Sequence, residues 1–359
     1  MYASFTFGAA ITTILAAVST VSAQQACNGY SQLCSVPYHH ISTIVTHNSY
    51  GFAANPAANQ ACSVSTQLDD GVRGLKLSAV LPSNVSASDP ANNIHLCHTS
   101  CTILDAGPAK DTLSEVGSWL KNNPNEVVTI MWNTPNNKAF KPTDFQAIYE
   151  AAGLVDISYT QPSGNNTWPT LQEMISSGKR LVTFTDLGAN QKEVPWLLSE
   201  FDYVFETPYD NSNENSFKCT IDRPGDPSDP ENMMYVMNHF LYGSLNLGGT
   251  AIEIPQKGKA NSTNGDSLLN QAKNCQSTFG RNPTFLEVDF FNYGNTLQIV
   301  AQLNNVTYTE TPLKCNQQSS STAGGASAKS DASSLLSTSS SMYSSLVFVS
   351  LGSILLWTL

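Results

Sequence analysis

Short runs of β-branched and aromatic residues, most of them closed by a polar residue, recur along the middle of this chain. They fall at 41–46, 72–77, 94–97, 127–132, 181–185, 203–205, 235–237 and 285–288. Turn-forming residues bound them, the pattern of buried strands. Amphipathic stretches lie between several of these runs. Thr112 and Glu115 have capping-box spacing ahead of Leu113, Val116 and Leu120, and the stretch stops at Pro124. Residues 143–152 end at Gly153, 171–177 end at Gly178, Asp266 opens a stretch running towards Gly280, and 296–303 follows the last run. Strands that alternate with helices pair in parallel. Eight of them predict an α/β fold, a closed (β/α)8 TIM barrel over residues 27–315.

The residues at the ends of these runs carry the chemistry. In order they are His47, Ser78, His98, Asn133, Asp186, Glu206, Asn238 with His239, and Asp289. In parallel barrels reactive groups gather at the carboxyl ends of the strands. Alternation puts Val72, Gly74, Lys76 and Ser78 on one face of the second run and Arg73, Leu75 and Leu77 on the other. If Lys76 points into the barrel mouth, Arg73 faces the helices as a structural ion-pair partner. Asp186 either binds substrate hydroxyls or caps a loop. Glu206 and His239 read as structural.

Composition and the chain ends set the surroundings. Residues 1–23 have an apolar run ending in Val21, Ser22 and Ala23, a cleaved secretory signal. A Ser/Ala/Gly-rich stalk at 316–345 leads to an uncharged apolar tail at 346–359, the pattern of a GPI-anchor signal. The eight cysteines lie between the two signals and are expected in disulfides. Asn84, Asn165, Asn261 and Asn305 each open an N-glycosylation sequon and are expected on surface loops. The net charge of −11 and the lack of a basic stripe along the sequence argue against a nucleic-acid partner.

With Thr46, His47, Asn48, Ser49 and Tyr50 closing the first run, Gly71, Val72 and Arg73 opening the second, and His98 closing the third, the chain resembles phosphatidylinositol-specific phospholipase C domains. It is more similar still to a fungal family of secreted phospholipase-C-like phosphodiesterases. The segments 96–101, 125–129, 177–180 and 288–294 carry that likeness, which spans roughly 27–315. The resemblance implies that a substrate hydroxyl attacks its own phosphodiester. His47 would be the general base, His98 the general acid and Asp289 the carboxylate that orients His47; histidine suits both roles because it titrates near neutrality. The expected partner is an inositol phospholipid or glycosylated inositol lipid at the outer cell surface. The alternatives are another phospholipid, or a barrel that binds without turnover.

Calcium-dependent relatives hold the ion with the asparagine after the first histidine and with two acidic residues on the second strand. Here Asn48 is kept, but the acidic positions are Lys76 and Ser78. An ammonium repels calcium, so no catalytic metal and no cofactor is expected. Lys76, with Asn48, is instead expected to reach a phosphate oxygen. The competing expectation is that Lys76 pairs with Asp289 or Glu206 in a structural ion pair.

Overall fold

The computed structural model describes Met1 and residues 26–83, 85–135, 140–247 and 249–318. The expected secretory signal apart from Met1, most of the expected stalk, the apolar tail and Asn84 lie outside the described residues. No described helix is long and apolar enough to cross a membrane.

Twelve strands are present among the described residues: β1 (Thr43–Thr46), β2 (Gly74–Val80), β3 (His95–Cys97), β4 (Asp105–Pro108), β5 (Val128–Asn133), β6 (Leu181–Thr185), β7 (Leu197–Ser199), β8 (Val204–Glu206), β9 (Met234–Asn238), β10 (Tyr242–Leu247), β11 (Thr250–Pro255) and β12 (Phe285–Val288). Eight of them form a parallel ladder in the order β7, β6, β5, β2, β1, β12, β9, β8. Alternation sorts their side chains. Val45, Met131, Phe184, Val236 and Phe285 fill the interior. Ile44, Leu75, Leu77, Ile130, Trp132 and Leu286 pack against the helices. Gly74 sits where β1 and β2 approach most closely: a Cβ there would lie 2.5 Å from Val45 Cγ2, so any side chain would force the two strands apart.

Membership of this ladder differs from the sequence expectation at two places. The run at 94–97 is not a barrel strand. The link from β2 contains Pro82 and Pro90 and forms only one helical turn, Pro90–Asn93, too little for a parallel crossover. The chain therefore doubles back, and β3 pairs antiparallel with the part of β2 that overshoots the barrel rim, Ala79 facing Leu96. In its place β7 joins the ladder, a three-residue strand beside Pro195 and too short to stand out as a run. The barrel is also not closed by hydrogen bonds. Only the turn Glu200–Tyr203 joins β7 to β8, so the ladder stays open between them.

The helices mostly follow the expected spans. Pro142–Ala152 ends at Gly153 and Leu171–Ser177 at Gly178, each glycine in the left-handed conformation that stops a helix. Thr112 and Glu115 do not form a capping box, because that helix starts a turn earlier and runs Ala109–Asn122. Asp266 is not a cap either. It lies in an irregular π turn, Thr263–Ser267, ahead of the helix Leu268–Phe279. Arg73 does face outward, pairing with Glu126 at 2.8 Å. Arg180 donates to the carbonyls of Leu120, Asn123 and Glu126, closing the end of the 109–122 helix. The cysteines pair as Cys27–Cys34, Cys62–Cys315, Cys97–Cys101 and Cys219–Cys275.

Candidate active site

The parallel register that sets Thr46 beside Val288 makes the next residues, His47 and Asp289, neighbours at the barrel mouth. His47 N–H extends the ladder by donating to Val288 O (3.0 Å). Its ring Nδ1 lies 2.9 Å from Asp289 Oδ1, and Asn48 Nδ2 lies 3.2 Å from Nε2. The carboxylate can only accept and the amide can only donate. Together they select the tautomer with the proton on Nδ1 and a lone pair on Nε2. Burial alone would make His47 harder to protonate, but the Asp289 charge and hydrogen bond outweigh it, and the imidazole sits above its ordinary pKa.

A second ring of residues fixes this pair. Asn59 Nδ2 donates to Asp289 Oδ1 at 2.8 Å, and Gln60 Nε2 donates to His47 O at 2.9 Å. Asn264 Nδ2 holds the carbonyls of Asp289 (2.8 Å) and Phe290 (3.0 Å), and Phe290 has a positive φ of 46°. Phe240 stacks on the His47 imidazole at 4.0 Å. None of Asn59, Gln60, Phe240 or Asn264 stands out in the sequence. They come from irregular loops, where the only local marker is Cys62, whose bridge to Cys315 anchors the 51–62 loop.

His98 arrives differently, at the end of β3 on the antiparallel flap. Its N–H donates to Leu104 O, Thr99 turns with a φ of 56°, and Cys97–Cys101 ties the turn together. The ring is buried and its Nδ1 has no partner; Asp289 Oδ2 is also without one. Burial, followed by the nearby charge of His47, lowers the His98 pKa to about 4. Buried polar atoms left unpaired within electrostatic reach of one another suit a polar ligand.

The other expected site residues are engaged. Asp186 accepts from Thr134 Oγ1 at 2.7 Å and from Thr134 N at 3.1 Å, the loop-capping alternative. Asn48 Oδ1 accepts from Ser78 Oγ (3.0 Å) and Tyr50 O–H (3.1 Å). Lys76 is buried below the mouth with its Nζ 3.0 Å from Glu206 and 3.4 Å from Glu200, an ion pair rather than a free phosphate ligand. Glu206 also receives Arg223 Nε at 3.0 Å. Burial disfavours its charge, but Lys76 and Arg223 outweigh that and hold the Glu206 carboxyl well below the usual range. Glu200 and Glu206 flank the open seam between β7 and β8, so Lys76 bridges from inside the gap that the backbone leaves. His239 is buried against Gln271 and Thr263.

A calcium ion of the kind some relatives hold does not fit these residues. Asn48 Oδ1 is already occupied by two hydroxyl donors, and positions 76 and 78 offer an ammonium and a hydroxyl where carboxylates are needed. His95, Cys97 and Asp105 lie close enough to suggest a metal cluster, but Cys97 is spent in its disulfide. Asn165, Asn261 and Asn305 are exposed.

An eight-stranded parallel ladder whose mouth holds a carboxylate-keyed histidine, with a second histidine near enough to feel its charge, has the form of a phospholipase-C-like barrel. The chain belongs to the PI-PLC X family, whose profile, described as PI-PLC X 1, matches residues 33–304. It is 38% identical over 296 residues to an Arthroderma benhamiae protein called "Uncharacterized secreted protein", a match covering 79% of this chain and 64% of that one. It is 34% identical over 286 residues to a "PI-PLC X domain-containing protein 1" of the same fungus, covering 78% of this chain and 90% of that one. The fold is similar to that of phosphatidylinositol-specific phospholipase C from Listeria monocytogenes, with a TM-score of 0.50 and 16% identity over 77% of this chain and 96% of that one.

Proposed function

We propose that this chain is a phosphodiesterase that cleaves an inositol phospholipid or a glycosylated inositol lipid by intramolecular attack. The lone pair on His47 Nε2 takes the proton of a substrate hydroxyl, whose oxygen then bonds to phosphorus. The bond from phosphorus to the leaving alkoxide breaks as His98 delivers a proton, and a cyclic phosphodiester remains on the head group. Asp289 holds the His47 tautomer and stabilises the imidazolium, the orienting role of a triad. The observation that carries this reading is the 2.9 Å contact from His47 Nδ1 to Asp289, beside a buried His98 ring with an unpaired nitrogen that feels the His47 charge. In the free protein the single proton prefers His47 to His98. A bound phosphodiester anion would raise the His98 pKa towards a useful value.

We further read the protein as secreted through residues 1–23 and held at the outer cell surface by a lipid anchor directed by residues 316–359. Four disulfides suit an oxidising compartment. One observation favours a competing reading, a binding barrel without turnover. Phe240 lies flat on the His47 imidazole and covers one face of the ring. The deciding experiment is a panel of phosphodiester lipids offered to the wild type beside His47→Ala and His98→Ala. Release of a cyclic inositol phosphate by the wild type alone supports catalysis. Lipid binding without release, unchanged in both variants, would establish the binding barrel.

A further inference from the structure

Away from the barrel mouth, an open cleft of about 850 Å³ lies between the 214–219 segment and the start of the 268–279 helix. Its size is that of a small-molecule site, but its chemistry is unlike the mouth. Amides dominate the wall: Asn261, Asn270, Gln271, Asn274 and Asn295, with Phe217 as the aromatic surface. The charged residues on it, Glu214, Lys218 and Asp266, sum to one negative charge, which disfavours an anion. Nothing in the proposed chemistry uses this cleft.

Gln271 points to the ligand. It is 5% exposed, its Oε1 lies against His239 Nδ1, and its Nε2 has no partner. His239 is buried with Nε2 2.8 Å from Thr263 O. That carbonyl can only accept, so a neutral His239 carries its proton on Nε2 and accepts at Nδ1. The Gln271 amide must then present its NH₂ group to Nδ1, which leaves its carbonyl oxygen as the unpaired atom. In either orientation one end of a buried amide is left over. A hydroxyl group satisfies both cases, because it donates and accepts; a simple ion satisfies only one. Neutral hydroxyl-rich ligands are saccharides, and amide walls with an aromatic face suit them.

A source for that saccharide lies in the wall itself. Asn261 and Ser262 line the cleft, and they open the sequon Asn261, Ser262, Thr263. Gly294 N–H donates to Asn261 Oδ1 at 3.3 Å, which leaves the amide nitrogen as the end to carry a sugar. We infer that the cleft is a saccharide site filled by the first sugars of the protein's own glycan on Asn261. This rests on the proposed passage through the secretory pathway, but not on the phosphodiesterase chemistry.

The test uses the full chain secreted from a host that adds N-glycans. Native protein is treated with an endoglycosidase, and glycopeptide mass spectrometry follows trimming at Asn165, Asn261 and Asn305. Occupancy at Asn165 and Asn305 reports on secretion independently of the cleft. The Asn261 glycan should be trimmed about tenfold more slowly than the other two, since the cutting rate follows the undocked fraction. Asn270→Ala with Asn274→Ala, two exposed positions on the wall, should remove that protection. Asn261→Gln should empty the cleft and allow added N,N′-diacetylchitobiose to protect amides of the 268–279 helix from hydrogen exchange. Equal trimming at the three sites, or an unoccupied Asn261 beside occupied Asn165 and Asn305, overturns the inference. Disaccharide binding to the wild type as strong as to Asn261→Gln also overturns it, by showing that the cleft serves saccharides from outside.

Discussion

The two histidines of the site are held by different parts of the molecule. His47 is an extension of the barrel: its backbone continues the β1–β12 ladder, and its ring is fixed by Asp289, Asn48 and Phe240. His98 stands on an antiparallel flap held by a local disulfide, with one ring nitrogen unpaired. Long-range parallel pairing fixes one group before any ligand arrives, whereas the other keeps a nitrogen for a ligand. The electrostatics divide in the same way. A carboxylate raises the His47 pKa, while burial and the charge of His47 lower that of His98.

This contrast can be broken most sharply by varying the leaving group. His47→Ala should lower turnover about 10²–10⁴-fold on every substrate, the usual range for losing a general base. His98→Ala should cost as much on a lipid with an alkoxide leaving group, but little on a phenolic analogue that departs without a proton. Steady-state rates on the two substrates decide this, and equal losses for His98→Ala would end its assignment as the acid.

The next effect concerns the floor beneath His47. Lys76→Met removes the cation from a buried group containing Glu200 and Glu206. Breaking such a pair typically costs about 3–5 kcal/mol. Denaturant unfolding should show that loss. A variant of wild-type stability with impaired turnover would instead give Lys76 to the phosphate.

Asp289→Asn should lower turnover about 10²-fold by loosening the His47 tautomer, and it should also change the pH profile. The assigned roles need neutral His47 and protonated His98. For the free protein, kcat/KM therefore rises through the lower pKa, about 4, and falls through the higher one, which belongs to His47 and lies above its ordinary value. Removing the Asp289 charge lowers the His47 pKa, so the falling limb should move to lower pH. A limb that stays in place would mean that it reports another group.

On the flap, Cys97→Ser with Cys101→Ser opens a bridge of sequence separation 4, for which chain entropy predicts about 2 kcal/mol. Turnover on the alkoxide substrate should fall more than on the phenolic one, because only the acid is displaced. Parallel assays on both substrates would show it. The smallest expected effect is none: EDTA should leave both rates unchanged, and loss restored by calcium would overturn the fit argument at Asn48, Lys76 and Ser78.

Much of this was legible in the chain. Apolar runs with polar ends located β1, β2, β5, β6, β8, β9 and β12 closely, because a strand's alternation and its boundary residues are local properties. The placement of His47 and Asp289 at the ends of the first and last runs was readable for the same reason. Membership of the ladder was not. The 94–97 run has a strand's composition, but the chain before it cannot form a crossover, and β7 is too short to carry a pattern. The capping signals at Thr112 and Asp266 do not mark helix starts, because capping residues act only where the neighbouring backbone leaves N–H groups free.

Sequence by itself therefore determined the strand material, the even set of cysteines and the residue types available for acid–base chemistry. Tertiary structure alone decided that His98 comes from a flap, that Lys76 is committed to Glu200 and Glu206 across an open seam, and that Asn59, Gln60, Phe240 and Asn264 brace the His47 pair. These are contacts between loops distant in the chain. Hydrophobic periodicity records which face of an element is buried, but not which loops meet above it.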